Sequence, residues 1–101
     1  MRPTYLEVNL PQLRRNVEAI RKQVTPAKVM PMIKANAYGH GIEGVAPFLE
    51  PYVDYFGVAV LEEGITLREL GIKKPILVAG GGIGGAIARA LAIQPRIMLF
   101  D

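Results

Sequence analysis

The residues best suited to chemistry gather in one short stretch, Met32-Ile33-Lys34-Ala35-Asn36-Ala37-Tyr38-Gly39-His40-Gly41. Lys34 follows an almost wholly apolar run, Val29 to Ile33, of the kind that forms a strand buried on both faces. In parallel α/β proteins, sites are built at the C-terminal ends of such strands. A lysine in that position has two fates. It reaches solvent along its own stem, or it is partly desolvated and keeps a neutral amine that attacks carbonyl carbons to form Schiff bases. Tyr38 adds a phenol, which serves either a ligand or a simple structural hydrogen bond. His40, the one histidine, reads as a hydrogen-bonded loop residue in preference to an acid–base group.

A glycine cluster is the second candidate. Gly80-Gly81-Gly82-Ile83-Gly84-Gly85 satisfies G-x-G-x-x-G through Gly80, Gly82 and Gly85, between an apolar strand and a run of strong helix formers. Asp101 lies about 20 residues on, where a dinucleotide-binding unit places an acid for ribose hydroxyls. The stretch Ile76 to Asp101 is shorter than the roughly 30 residues such a unit takes. The competing reading is a permissive turn between a strand and a helix.

Pattern sets the secondary structure around these groups. Thr4 to Val8 reads as a short strand. Asn9 is an N-cap, and Pro11 suits a first helical turn, where a missing N–H costs little. Leu10, Leu13, Val17, Ile20 and Val24 then repeat at helical spacing to about Gln23, until Thr25-Pro26 stops the helix. Lys28 to Ile33 is a strand whose regularity Pro31 opposes. Ala35 to Gly41 is a loop, with Asn36, Gly39 and Gly41 shaping it. Ile42 to Leu49 is a helix with Val45, Phe48 and Leu49 inward. Tyr55 to Val60 is a strand, Leu61 to Leu70 a helix capped by Gly71, Pro75 to Ala79 a strand, Ala86 to Ala92 a helix and Arg96 to Phe100 a last strand. Such alternation predicts a parallel sheet covered by helices.

Composition narrows the chemistry further. The chain has 101 residues, half of them apolar, which suits one folded domain and not a disordered segment. No cysteine is present, so disulfides, thiolate metal sites and cysteine nucleophiles are excluded. A single histidine argues against a metal centre. The net charge of +3 is spread along the chain without a basic block, and nothing points to nucleic acid. No segment reaches the ~20 apolar residues of a membrane span, and the start is unlike a signal peptide. A soluble cytoplasmic protein is expected.

The stretch Val29 to Gly41, with Lys34-Ala-Asn-Ala-Tyr-Gly-His-Gly41 at its centre, resembles the pyridoxal-phosphate signature of the alanine racemases. Glu7 to Leu10 with Leu13 and Asn16, Tyr55 to Val60 with Glu62-Glu63-Gly64 and Leu67-Arg68, and Pro75 to Val78 resemble the same family in order and spacing. This resemblance implies a (β/α)8 TIM-type barrel followed by a separate β domain. Residues 1–101 would then be the N-terminal portion of the barrel, its first strand–helix units with a parallel sheet, without the β domain. It implies pyridoxal 5'-phosphate as cofactor, with Lys34 as its Schiff-base residue and as one of two catalytic bases, and Tyr38 as a contact of the cofactor phosphate. The implied activity interconverts L-alanine and D-alanine by Cα proton exchange, supplying D-alanine for the cell wall, in a protein that is a homodimer at full length. The second base would be a tyrosine of the partner's β domain. A barrel takes about 250 residues, so the 101 residues alone are expected to be inactive and to self-associate through open sheet edges. The alternatives are another amino-acid racemase or a decarboxylase of the same fold, or the dinucleotide module built on Gly80, Gly82 and Gly85.

Overall fold

The computed structural model describes residues 4–80 and the backbone of 97–99. It is an α/β unit on a parallel three-stranded sheet, β1 (Phe56–Val58), β2 (Ile76–Val78) and β3 (Ile97–Leu99), in the order β1-β2-β3. Phe56 pairs with Ile76 and Ile76 with Ile97, so all three strands run in step. The helices are α1 (Leu10–Val24), the short turn α2 (Lys34–Tyr38), α3 (Ile42–Leu49) and α4 (Leu61–Glu69), with a 3-10 turn at Glu50–Tyr52 after α3. Among the described residues no helix is long and apolar enough to cross a membrane. The glycine motif beyond Gly80, the helix expected at Ala86 to Ala92, and Asp101 lie outside the described residues.

Helix α1 begins where its sequence says it should. The Asn9 side chain accepts from the Gln12 amide at 3.0 Å, and Pro11 sits in the first turn. Its apolar stripe is only half used. Val17 is buried, whereas Ile20 and Val24 are 54% and 40% exposed. The strand expected at Thr4 to Val8 does not form. A strand needs a partner to take its backbone bonds; none is described for this segment, and Tyr5 and Leu6 lie exposed.

The expected strand at Lys28 to Ile33 is reduced to one parallel bridge, Met32 with Gly57. Gly57 donates to the Pro31 carbonyl at 2.9 Å, and Ile33 donates to the Gly57 carbonyl at 2.8 Å. Pro31 has no N–H to extend that ladder. The segment still lies alongside β1, so the parallel order runs from Met32 through β1 and β2 to β3. Asp54 fixes its start. The Asp54 carboxylate accepts from the Val29 amide at 2.8 Å and from Arg21 of α1 at 2.9 Å. The Val29 bond is the main cause that holds this carboxyl below the usual aspartate range; Arg21 and Lys28 add to it against the opposing effect of burial.

The core lies between the sheet and its helices. Phe56, Val58, Ile76 and Val78 are fully buried, with Leu61, Ile65 and Leu67 of α4 over them and Val45, Ala46 and Leu49 of α3 beside them. Each such side chain contributes about 1.5–3 kcal/mol through burial. Helix α4 ends with Gly71 at φ 90, where Ile72 donates back to the Leu67 carbonyl. Phe48, expected to point inward, is only partly buried, while Ile42 and Ala46 are buried in its place.

Candidate functional site

Lys34 stands two residues beyond the Met32–Gly57 bridge, at the C-terminal edge of the sheet. The chain then enters a left-handed turn. Ala35, Asn36, Ala37 and Tyr38 have φ of 52, 56, 57 and 56. For L-residues this conformation brings Cβ against the following carbonyl and costs roughly 1–2 kcal/mol per residue. None of the four is glycine, so the strain is held by contacts elsewhere.

Those contacts are specific. The Ala37 amide donates to the Ile33 carbonyl at 3.0 Å, and Gly39 and Gly41 donate to the Asn36 carbonyl at 3.1 and 3.0 Å. The Asn36 side chain accepts from the Ile42 amide at 2.8 Å, which joins the turn to the start of α3. Ala37 is 5% exposed and packs into the core. Gly39 and Gly41 take φ of 88 and 92, the positive values expected of the loop glycines. His40 Nδ1 lies 3.0 Å from the Ala37 carbonyl oxygen; because that oxygen only accepts, Nδ1 carries the proton. The histidine is thus a structural member of the loop.

The far anchor is Glu63. Its Oε2 accepts from the Ala35 amide at 2.8 Å, while Oε1 accepts from the Ala59 and Val60 amides at 2.8 and 3.2 Å. Burial pushes this carboxyl up, but the three amides and the nearby Lys34 charge outweigh burial and hold it below the usual glutamate range. The sequence pattern did not single out Glu63. A glutamate three residues after an N-cap is a known capping signal, but Val60 offers no side-chain acceptor to complete it.

The structure brings Lys34 and Tyr38 together on the turn. The Lys34 Nζ lies 6.0 Å from the centre of the Tyr38 ring, at the outer range for attraction between a cation and a ring face. Both side chains are open to solvent, Tyr38 57% exposed. Of the two fates open to a strand-end lysine, the described residues leave Lys34 in the first, exposed to solvent. An apolar cavity of about 280 Å³ lies between α1 and the turn, lined by Val17, Ile33, Ala37 and Leu49 together with Tyr38 and His40. Lys34 does not line it. Among the described residues no cluster of histidine and carboxylate groups could hold a metal ion.

A sequence model of the alanine racemase N-terminal domain matches residues 8–101. The chain is 43% identical over 102 residues to alanine racemase of Symbiobacterium thermophilum, covering 100% of this chain and 27% of that protein. Over 82 residues it is 52% identical to alanine racemase 1 of Caldanaerobacter subterraneus, covering 79% of this chain and 21% of the relative. The structure superposes on alanine racemase of Clostridium difficile 630 in complex with cycloserine with a TM-score of 0.83 and 39% identity, over 91% of this chain and 25% of that one. It superposes on the Bacillus anthracis enzyme with bound L-Ala-P with a TM-score of 0.82 and 31% identity, over 97% and 26%. The chain thus spans about a quarter of the length of these relatives. The parallel strand order agrees with the TIM-type barrel of those neighbours. By its sequence and its backbone, the chain belongs to the alanine racemase N-terminal domain family.

Proposed function

We propose that this chain is the N-terminal portion of the barrel of a pyridoxal-phosphate-dependent alanine racemase, with Lys34 as the residue that holds the cofactor. The observation that carries this reading is the exposed amine of Lys34 at the C-terminal sheet edge, beside Tyr38, on a turn with four consecutive left-handed residues. The donor set fits the group. An aldehyde needs an accessible primary amine, and a phosphate is well served by an exposed phenol hydroxyl a few residues away. When bound, the cofactor supplies a ring that accepts the charge left on Cα as its proton departs.

The chain's own residues do the rest. Lys34 Nζ would hold the cofactor, and its free amine would accept or return the Cα proton on one face. Tyr38 orients the cofactor through its hydroxyl. Inverting a stereocentre requires a second base on the opposite face, and that base comes from outside these residues, as a tyrosine of a β domain in the partner subunit of a homodimer. The product serves D-alanine supply for the cell wall in the cytoplasm. Two of the solved relatives are described with cycloserine or L-Ala-P bound, compounds of alanine-like size that support the substrate class.

The test is attachment. The protein is incubated with pyridoxal phosphate, reduced with borohydride and mapped by peptide mass. The label is expected on Lys34 and is expected to vanish in Lys34→Ala; label retained in that variant refutes the assignment. The 101 residues alone are expected to show no alanine racemisation, and measurable turnover by them would refute the need for a second base from elsewhere.

A further inference from the structure

We infer that Glu63 is a positioning residue for Lys34, its carboxylate fixing the turn that presents the amine to the end of β1. The inference rests on the role of Lys34 proposed above. Capping α4 requires one oxygen of Glu63, and Oε1 does this with the Ala59 and Val60 amides. Oε2 is left for a bond that capping does not explain, to the Ala35 amide at 2.8 Å and 28 residues away in the chain. The Ala35 N–H shares a peptide plane with the Lys34 carbonyl. Anchoring that plane sets ψ of Lys34, and with it the direction in which the side chain leaves the backbone.

The charge state suits the task. Lys34 is the charged group facing Glu63, and the three amides with Lys34 favour the ionised carboxylate over the opposing effect of burial. Both oxygens then accept, as the geometry requires. A glutamine cannot reproduce this, because one of its two ends donates. An aspartate keeps the charge but is one methylene too short to span Ala35 and Ala59 together.

Glu63→Gln and Glu63→Asp test the inference with pyridoxal phosphate as probe, followed by borohydride reduction and peptide mapping against time. Backbone hydrogen exchange is read over 33–41 and 59–64. Loss of one charge-assisted bond predicts attachment at Lys34 slowed about tenfold in Glu63→Gln, with attachment at the exposed Lys22 of α1 unchanged. Exchange over 33–41 should rise in both variants, while in Glu63→Gln the capping peptide 59–64 stays protected. Equal slowing at Lys34 and Lys22, or unchanged exchange over 33–41, would make Glu63 a helix cap and nothing more. If the unsubstituted protein takes no label at Lys34, the cofactor reading fails, while the exchange data still decide whether Glu63 holds the turn. Should the variants not fold, the unsubstituted protein supplies the answer. The Ala35, Ala59 and Val60 amide resonances should titrate together, with one midpoint below the usual glutamate range, and independent behaviour of Ala35 overturns the inference.

Discussion

Replacing Ala35 with glycine should stabilise the protein, the reverse of what the same change does in an ordinary helix. Ala35 sits at φ 52, ψ 52, and its side chain is exposed, so removing the methyl group forfeits no packing. Relief of the left-handed penalty is worth about 1–2 kcal/mol. Glycine's extra freedom in the unfolded chain takes back about 0.4–1 kcal/mol. The net expectation is a gain of about 0.5–1 kcal/mol. Ala19 provides the control. It is exposed in the middle of right-handed α1, where Ala→Gly costs about 1 kcal/mol. Two chemically identical substitutions should therefore differ by roughly 1.5–2 kcal/mol and in sign. Urea unfolding of both variants beside the unsubstituted protein reads this as midpoint shifts in opposite directions at constant slope. If Ala35→Gly lowers the midpoint as far as Ala19→Gly does, the turn is not left-handed at Ala35, and the case for strain at the Lys34 site falls with it.

Other perturbations draw on the same geometry. Gly39→Ala should cost about 1–2 kcal/mol from backbone strain alone, since a Cβ at φ 88 there meets no atom within 4 Å; thermal melting checks it. Gly57→Ala should cost about 1 kcal/mol, the low end of overpacking, because its Cβ meets the Met32 thioether, the far end of a flexible side chain that can move aside. Met32→Ala in the same chain should recover part of that loss in a double-mutant cycle. Asp54 has a depressed carboxyl, so its contribution to stability is present above the ordinary aspartate range and is lost as pH falls through the lower folded value. Asp54→Asn should therefore flatten the acid limb of a stability-against-pH curve, and an unchanged acid limb would dismiss the Val29 and Arg21 contacts as its cause.

Legibility in the residues divides along the range of the interactions. The cap at Asn9, helices Leu10–Val24 and Ile42–Leu49 and the strands around Phe56 and Ile76 are written in local spacing and apolar runs, and they formed where expected. Thr4 to Val8 carried a strand pattern but has no described neighbour to pair with, and pattern alone supplies no partner. The apolar run before Lys34 places it at the C-terminal edge of the sheet, where the Met32–Gly57 bridge puts it, but local pattern does not set how exposed its amine is. The turn is the deepest case. Nothing in Ala35-Asn36-Ala37-Tyr38 asks for positive φ; alanine favours the right-handed helix, and only Asn36 tolerates the left-handed region readily. The other three, Ala35, Ala37 and Tyr38, carry roughly 3–6 kcal/mol of strain, whereas a hydrogen bond to a charged group returns only about 1.5–3 kcal/mol. One clamp is therefore insufficient. The Glu63 carboxylate, the Asn36 side chain on Ile42, the backbone bonds within the turn and the buried methyl of Ala37 must act together, and each reaches a different element. A stretch whose local preference is overruled from several directions at once is where a folded chain departs from its own propensities for the sake of a site. The amine of Lys34 stands at the head of that stretch.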